Sequence, residues 1–470
     1  MGLRKQISFS ALGSIGTRAG QFIAFIILAR LLSPDEFGLL AMLNVLGAFA
    51  MIFIDMGLGA ALIHNRNASA IHYSSAFALN LSLGVVFYFL MFFLSGQIAI
   101  FFDEPALSTL SKVFSSIFLL NAIGVVPMSI LQKSGNFHLI SAAELSSMFI
   151  ASVIGITLAT KGFGPWALIW WKLSSSGLRS LLFLSLSKWK PAIKVKKDEI
   201  VELWRYLRYL IGSRILNYAV QNLDDLLVGK IAGSANIGLY NTSYRIMTLP
   251  RNLSGSIINR VMLSKYASLQ INLPAIKAYH LRISRLIALL TFPVNFAVIV
   301  IADHLVLNIF GAQWEQMVFI LQLFAIRTLW APIGALNSAI YLSLGATKRQ
   351  LNAGLIVNGV AILSIVIGAF WGMYGILYGF VIAVFINFYP SFYFSGSLIG
   401  LKVYEVILNF IPVLIPASIS SIIVYTFKYF FINKITIVNM VFLCIMFFLI
   451  YAFIAYLVNK QTIKLALSRS

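Results

Sequence analysis

An all-α polytopic membrane protein with about fourteen transmembrane helices is the fold class that this sequence predicts, on three observations. Hydrophobic residues make up 60% of the chain and charged residues 10%, with a mean hydropathy of +0.92, whereas a soluble domain is about half apolar and a quarter charged. The apolar residues fall into windows close to the ~20 residues that one helix needs to cross the hydrocarbon core. Lysine and arginine then concentrate in alternate connecting segments, as they do when successive spans run in opposite directions.

Gly, Pro and charge clusters punctuate the windows at 10–32, 37–62, 74–96, 109–131, 139–160, 165–187, 207–230, 238–263, 281–303, 317–344, 352–371, 375–397, 406–427 and 435–457. The N-terminal MGLRKQ is short and basic, and the apolar segment after it runs past Leu32. That is too long for the core of a cleavable signal peptide, so it reads as a retained first span. Span eight is the least apolar, because it carries Arg245, Arg251 and Arg260, and its place in the periodic series assigns it to the membrane.

Orientation follows from the basic residues. With the N-terminus in the cytoplasm, the outer segments hold only Arg30, Lys112, Lys161, Lys230, Lys428 and Lys434, while the inner ones hold most of the remaining Lys and Arg. Both termini are therefore expected in the cytoplasm. The same asymmetry accounts for the net charge of +21 without nucleic acid as a partner. The lysine-rich SKWKPAIKVKK, residues 187–197, suits a linker on an anionic phospholipid surface.

The chain also repeats. Shifted by 200 residues, QFIAFIILARLLSPDEFGL (21–39) overlies QNLDDLLVGKIAGSANIGL (221–239), matching Gln21 with Gln221, Arg30 with Lys230 and Gly38 with Gly238. The overlay joins span one to span seven. Two six-helix lobes, 1–200 and 201–400, would then be related by a pseudo-two-fold axis along the membrane normal, because each begins on the same side. Residues 401–470 add spans thirteen and fourteen.

A charge in mid-membrane costs roughly 2.5–3.5 kcal/mol on insertion scales, so each should face protein or water. Helical spacing groups them. Span seven carries Arg214, Asn217, Gln221 and Asp225 on one stripe, with Asp224 on its flank; span eight carries Arg245, Thr248, Asn252, Ser256 and Asn259. Span one contributes Ser14, Arg18 and Gln21, span two Asn44 and Asp55, span six Lys172, Ser175, Ser176 and Arg179, and span ten Arg327. A hydrated cavity between the lobes would satisfy them all. Cations outnumber the acids Asp55, Glu144, Asp224 and Asp225 within the spans, and guanidinium groups match phosphate oxygens through paired hydrogen bonds, so the cargo is expected to be anionic. Arg18, Arg179, Arg214, Arg245, Asn252 and Arg327 are the candidate substrate-binding residues. Asp55, Asp224 and Asp225 are candidate ion or salt-bridge residues, the last two either pairing with Arg214 or Arg18 or handling an ion directly.

Other chemistry is not expected. His64, His72, His138, His280 and His304 show no metal-ligand spacing, and no phosphate-loop or dinucleotide fingerprint is present. Neither a metal nor a cofactor is predicted. Cys444, the single cysteine, lies in an apolar run and reads as packing.

Several short motifs become recognisable together: LARLLSPDEFGLLAM (28–42), DMGLGAALI (55–63), FFDEPAL (101–107), GFGPWAL (162–168), QNLDDLLVG (221–229), PRNLSGSIINRV (250–261) and FGAQW (310–314). In that order they resemble the Wzx-type polysaccharide flippases, nearest the WzxC-like exporters of the multidrug/oligosaccharidyl-lipid/polysaccharide superfamily. The resemblance covers most of residues 1–400; residues 401–470 match only in hydropathy. Where many relatives read Phe-Pro, this chain has Leu263 and Ser264, so that family's kink at the inner end of span eight is not implied here. The resemblance implies a bacterial inner-membrane transporter and no enzyme. It would move an undecaprenyl-pyrophosphate-linked oligosaccharide from the cytoplasmic to the periplasmic leaflet by alternating access, for capsule, exopolysaccharide or O-antigen synthesis, with polysaccharide polymerase or export machinery as its partner. Two rival readings remain: a multidrug antiporter of the same superfamily, whose cationic substrates favour an acidic cavity, and a membrane-embedded polysaccharide polymerase or ligase, which would place its groups in a sizeable outer loop.

Overall fold

The computed structural model describes the backbone of residues 3–55, 58, 62, 69–191, 197–432 and 434–467. Within these, the side chains of 3–12, 14, 15, 197–210, 213, 216, 217, 220, 249–260 and 461–467 are not described. The described residues form sixteen α-helices: α1 (Leu3–Leu31), α2 (Pro34–Asp55), α3 (Ala70–Phe93), α4 (Ser95–Phe102), α5 (Ala106–Phe114), α6 (Ser116–Lys133), α7 (Phe137–Thr160), α8 (Pro165–Leu186), α9 (Lys197–Ala267), α10 (Leu273–Leu305), α11 (Met317–Thr328), α12 (Ala331–Ser343), α13 (Thr347–Ala369), α14 (Gly372–Gly396), α15 (Val403–Phe431) and α16 (Ile437–Leu467). The chain is an all-α, multi-pass membrane protein.

Each expected span finds a helix, with some boundaries moved. Span four is two helices, α5 and α6, and span ten is also two, α11 and α12. Spans seven and eight form the single element α9, turned at Gly233 (φ 79°, ψ 179°), a left-handed conformation that only glycine adopts without strain. α9 continues through Leu263 and Ser264 to Ala267. Ten stretches among the described residues are long and apolar enough to cross a bilayer. The expected spans outside those ten are one, six, seven and eight, and these carry Arg18, Arg179, Arg214 and Arg245.

The chain divides into two compact units, Met1–Gly238 and Leu239–Ser470. The three-part division at 200 and 400 draws its lines elsewhere. In the first unit, α1 lies against α7 along a face of small residues. A Cβ on Gly13 would come within 2.3 Å of the Ser141 Cβ, and one on Gly20 within 2.3 Å of the Met148 Cε. Glycine at such positions lets helix backbones approach closely, which is how apolar helices associate where no hydrophobic drive separates them from lipid. The α1–α2 turn is held by a reciprocal cap. The Ser33 amide donates to Glu36 Oε2 (2.7 Å) and the Glu36 amide donates to Ser33 Oγ (3.3 Å), satisfying two free N–H groups at the start of α2. α3 is tied to α6 by the Asn80 side-chain amide, which donates to the Ala122 carbonyl (3.0 Å).

The repeat reappears in this unit as geometry. A Cβ on Gly38 would lie 1.7 Å from the Ser234 carbonyl oxygen, and one on Gly238 would lie 1.9 Å from the Pro34 carbonyl oxygen. Since 34 and 38 become 234 and 238 on adding the 200-residue shift, these are one contact made twice. Ser234 Oγ also meets Asp35 and Glu104, and Lys230 pairs with Asp103 (2.7 Å).

In the second unit, α10 is the post to which the last two spans are fixed. From one end to the other, Lys277 pairs with Glu405 (2.7 Å), Arg285 Nε donates to Asn409 Oδ1 (3.0 Å), the Tyr451 hydroxyl donates to the Leu289 carbonyl (3.0 Å), and Lys428 meets both Asp303 carboxylate oxygens at 2.9 Å. Between these polar ties, Ala297, Val300, Ile301, Ala417, Val424, Leu443, Phe447 and Tyr451 form a buried apolar cluster. His280, at a span edge by its sequence, lies inside α10, fully buried, with its Nδ1 3.1 Å from the Tyr266 hydroxyl.

Candidate substrate-binding cavity

Within the first unit, the close seating of α1 on α7 brings polar residues of three helices around one small cavity. Thr17, Arg18 and Gln21 come from α1, Glu144 and Ser147 from α7, and Ser175 and Arg179 from α8, enclosing about 220 Å³. The spacing within each helix explains the lining: Arg18 and Gln21, Glu144 and Ser147, and Ser175 and Arg179 are pairs at i, i+3 or i, i+4, which share a face. Arg179 is half-buried and its Nη2 donates to Asn121 Oδ1 (2.7 Å). Arg18 is exposed. The charges of both guanidiniums act on Glu144, so two cations face one carboxylate across the cavity. Ligand pockets usually run to about 300–1,000 Å³. A cavity of about 220 Å³ therefore suits a phosphate-sized group with a few waters better than an extended sugar chain.

The other predicted residues are placed differently. Arg214 Nη1 meets Asp55 Oδ2 at 2.8 Å, with the two side chains 37% and 57% exposed. The pairing of Asp224 or Asp225 with Arg214 is thereby corrected. Ten residues along one helix separate Asp224 from Arg214 by about 15 Å at 1.5 Å per residue, so its carboxylate partner has to come from another helix, and Asp55 of α2 supplies it. Asp224 is buried, although it was placed on the flank of the stripe, while Gln221 on the stripe is exposed and Asp225 is half-buried. The charge of Asp225 is felt by Tyr218, whose hydroxyl donates to the Val45 carbonyl.

In the second unit, Arg327 lies against aromatic faces. Its guanidinium carbon is 3.6 Å from the Phe380 ring centre and 5.3 Å from those of Tyr244 and Phe324, and its Nη1 donates to the Tyr240 hydroxyl (3.3 Å). A planar cation stacked in this way sets its charge against the electron-rich ring faces. Arg245 is half-buried in α9. Asn252, Arg251, Arg260 and Asn217 belong to α9 with side chains outside the described residues.

Sequence reasoning did not select Glu144 or Asn121 as site residues. Glu144 had a signal, as the one acid in span five; Asn121 had none, because a lone asparagine in an apolar span does not reveal which neighbouring helix it serves. Lys172, on the polar stripe of span six, donates to Asn44 Oδ1 on α2 and sits 5.8 Å from the Phe114 ring centre. Among the described residues, no group of three or more His, Cys, Asp or Glu is arranged to hold a metal ion.

Comparison with known proteins gives concordant findings. The family described as polysaccharide biosynthesis protein matches residues 27–319. The chain is 25% identical over 372 residues to the lipopolysaccharide biosynthesis protein WzxC of Escherichia coli (strain K12), covering 78% of this chain and 75% of that protein. It is 28% identical over 324 residues to the teichuronic acid biosynthesis protein TuaB of Bacillus subtilis (strain 168), covering 67% and 66%. Among solved structures, the lipid II flippase MurJ in an inward closed conformation superposes with a TM-score of 0.76 at 17% identity, covering 97% of this chain and all of that one. That likeness establishes the shared fold.

Proposed function

The chain belongs to the polysaccharide biosynthesis protein family, and from that premise we propose that it is a transporter, not an enzyme, that flips an undecaprenyl-pyrophosphate-linked oligosaccharide from the cytoplasmic to the periplasmic leaflet. In this reading it sits in the bacterial inner membrane with both termini in the cytoplasm, and supplies capsule, exopolysaccharide or O-antigen synthesis. The observation that carries it is the small polar cavity in which Arg18 and Arg179 face the single carboxylate of Glu144. Surplus positive charge in a confined site is costly until an anion completes it, and a pyrophosphate is an anion of the right size and oxygen geometry. The similarity to WzxC and TuaB, both named for polysaccharide biosynthesis, supports a glycan as the rest of the cargo.

Arg18 and Arg179 take the pyrophosphate first. Arg214, Arg245, Asn252 and Arg327 are assigned to the headgroup later in its passage, while the prenyl tail stays in the bilayer. Asp55 holds Arg214 until then; Asp224 and Asp225 are assigned to ion coupling. A polysaccharide polymerase or export complex would take up the product. Alternating access supplies the movement.

The test is accumulation. In a strain lacking the gene, the lipid-linked glycan should build up on the cytoplasmic face, and wild-type protein should clear it, whereas Arg18→Ala or Arg179→Ala protein present at normal levels should not. Full clearance by both variants would refute the headgroup assignment.

A further inference from the structure

We propose that the second unit carries a lipid site at its outer end, built for a phospholipid with an ammonium headgroup and separate from the route of the cargo. Two cavities meet there. One, of about 710 Å³, is lined by Asp303, Glu315, Gln316, Phe319, Tyr374 and Tyr378 among others. The second, of about 620 Å³, runs along α13 and α14 and shares Tyr374 and Tyr378 with the first. Its floor is set by glycine: a Cβ on Gly368 would lie 2.2 Å from the Gly375 carbonyl oxygen, and one on Gly379 would lie 2.3 Å from the Ser364 carbonyl oxygen. Backbones that close leave a furrow, and Ile367, Trp371, Ile382 and Ile386 stand as its exposed walls. Phe319 of α11 bridges the two cavities, its ring centre 6.0 Å from Tyr374 and 6.2 Å from Tyr378. The result is an apolar furrow that opens, past an aromatic collar, into a chamber carrying the carboxylates of Asp303 and Glu315.

Shape and charge select the occupant. The basic-residue distribution puts the α10–α11, α13–α14 and α15–α16 connections on the outer face, and tryptophan and tyrosine favour the headgroup level of a bilayer. An acyl chain fits the furrow and its headgroup the chamber. In a chain of net charge +21, this chamber is acidic. Asp303 is matched by Lys428 at 2.9 Å, and the exposed carboxylate of Glu315 adds a negative charge beyond that pair. An ethanolamine headgroup brings an ammonium to Glu315, with Gln316 and the two tyrosines as hydrogen-bonding partners for its phosphate. An anionic glycerol headgroup, or the pyrophosphate of the cargo, meets repulsion.

The full chain in nanodiscs containing equal dioleoyl-phosphatidylethanolamine and dioleoyl-phosphatidylglycerol provides the test, with retained lipids counted by native mass spectrometry. Wild-type protein should retain the ethanolamine lipid in about threefold preference, the scale of one exposed ion pair. Glu315→Gln should bring the two lipids to parity, and Ile382→Trp, which fills the exposed furrow, should lower retention of both. Equal retention by wild-type protein, a preference for the glycerol lipid, displacement by added undecaprenyl phosphate, or a preference that survives Glu315→Gln would each overturn the proposal. Glycan flipping by the protein bears on none of these readouts.

Discussion

Helix α1 and the first half of α9 occupy equivalent places in the 200-residue repeat, and they agree in one respect and differ in another. Both lead to a glycine packed against a backbone carbonyl, Gly38 on Ser234 and Gly238 on Pro34. Their charges do not correspond. The position matching Arg18 is Tyr218, which donates to the Val45 carbonyl, and the position matching Arg214 is Ser14. What repeats is therefore the backbone approach, which no side chain larger than hydrogen can share. The chemistry has diverged, so that one helix supplies a cation to a cavity and the other uses its hydroxyl and its arginine to join α2.

The comparison can be broken most severely at the glycines. Gly38→Ala or Gly238→Ala puts a methyl into a backbone carbonyl that cannot rotate away, and is expected to destabilise the protein by about 3 kcal/mol or more; yield and melting temperature in detergent would report it, and unchanged values would show that the close approach is dispensable. Arg18→Tyr makes α1 resemble its partner helix. It should cut glycan export by about tenfold or more, as expected when a charge-assisted bond to an anion is lost, with little change in folding. Arg18→Lys should fall between the two, because an ammonium keeps the charge without the fork.

Smaller effects sharpen the same contrast. Tyr218→Phe removes one hydrogen bond and should cost about 1 kcal/mol, read as thermal stability, with export preserved; a large export defect would mean that position 218 shares the role of position 18 after all. Asp55→Asn should cost under about 1 kcal/mol, since its pair with Arg214 is substantially exposed and such pairs are screened. A larger loss in either stability or export would assign Asp55 a role beyond holding Arg214.

The all-helical, multi-pass class and the repeat were legible in the sequence, because hydrocarbon thickness fixes the length of an apolar run and a helix imposes its period on polar residues within it. Gly38 and Gly238 were visible as a matched pair for the same reason. The helical period gives a residue's direction around its own helix, but it says nothing of which neighbouring helix lies in that direction or at what height. For that reason the partner of Arg214 was Asp55 and not Asp224, Glu144 went unselected beside Arg18 and Arg179, and Lys172 turned inward to Asn44. Likewise, hydropathy identified spans thirteen and fourteen, yet only the packed structure shows them fixed to α10 through Lys428, Asn409 and Tyr451. The sequence by itself determined that the chain is a multi-pass, all-helical membrane protein and that cations exceed acids within its expected spans. Tertiary structure alone decided which charge meets which, since an ion pair between helices depends on their mutual rotation and offset, and no single helix encodes either.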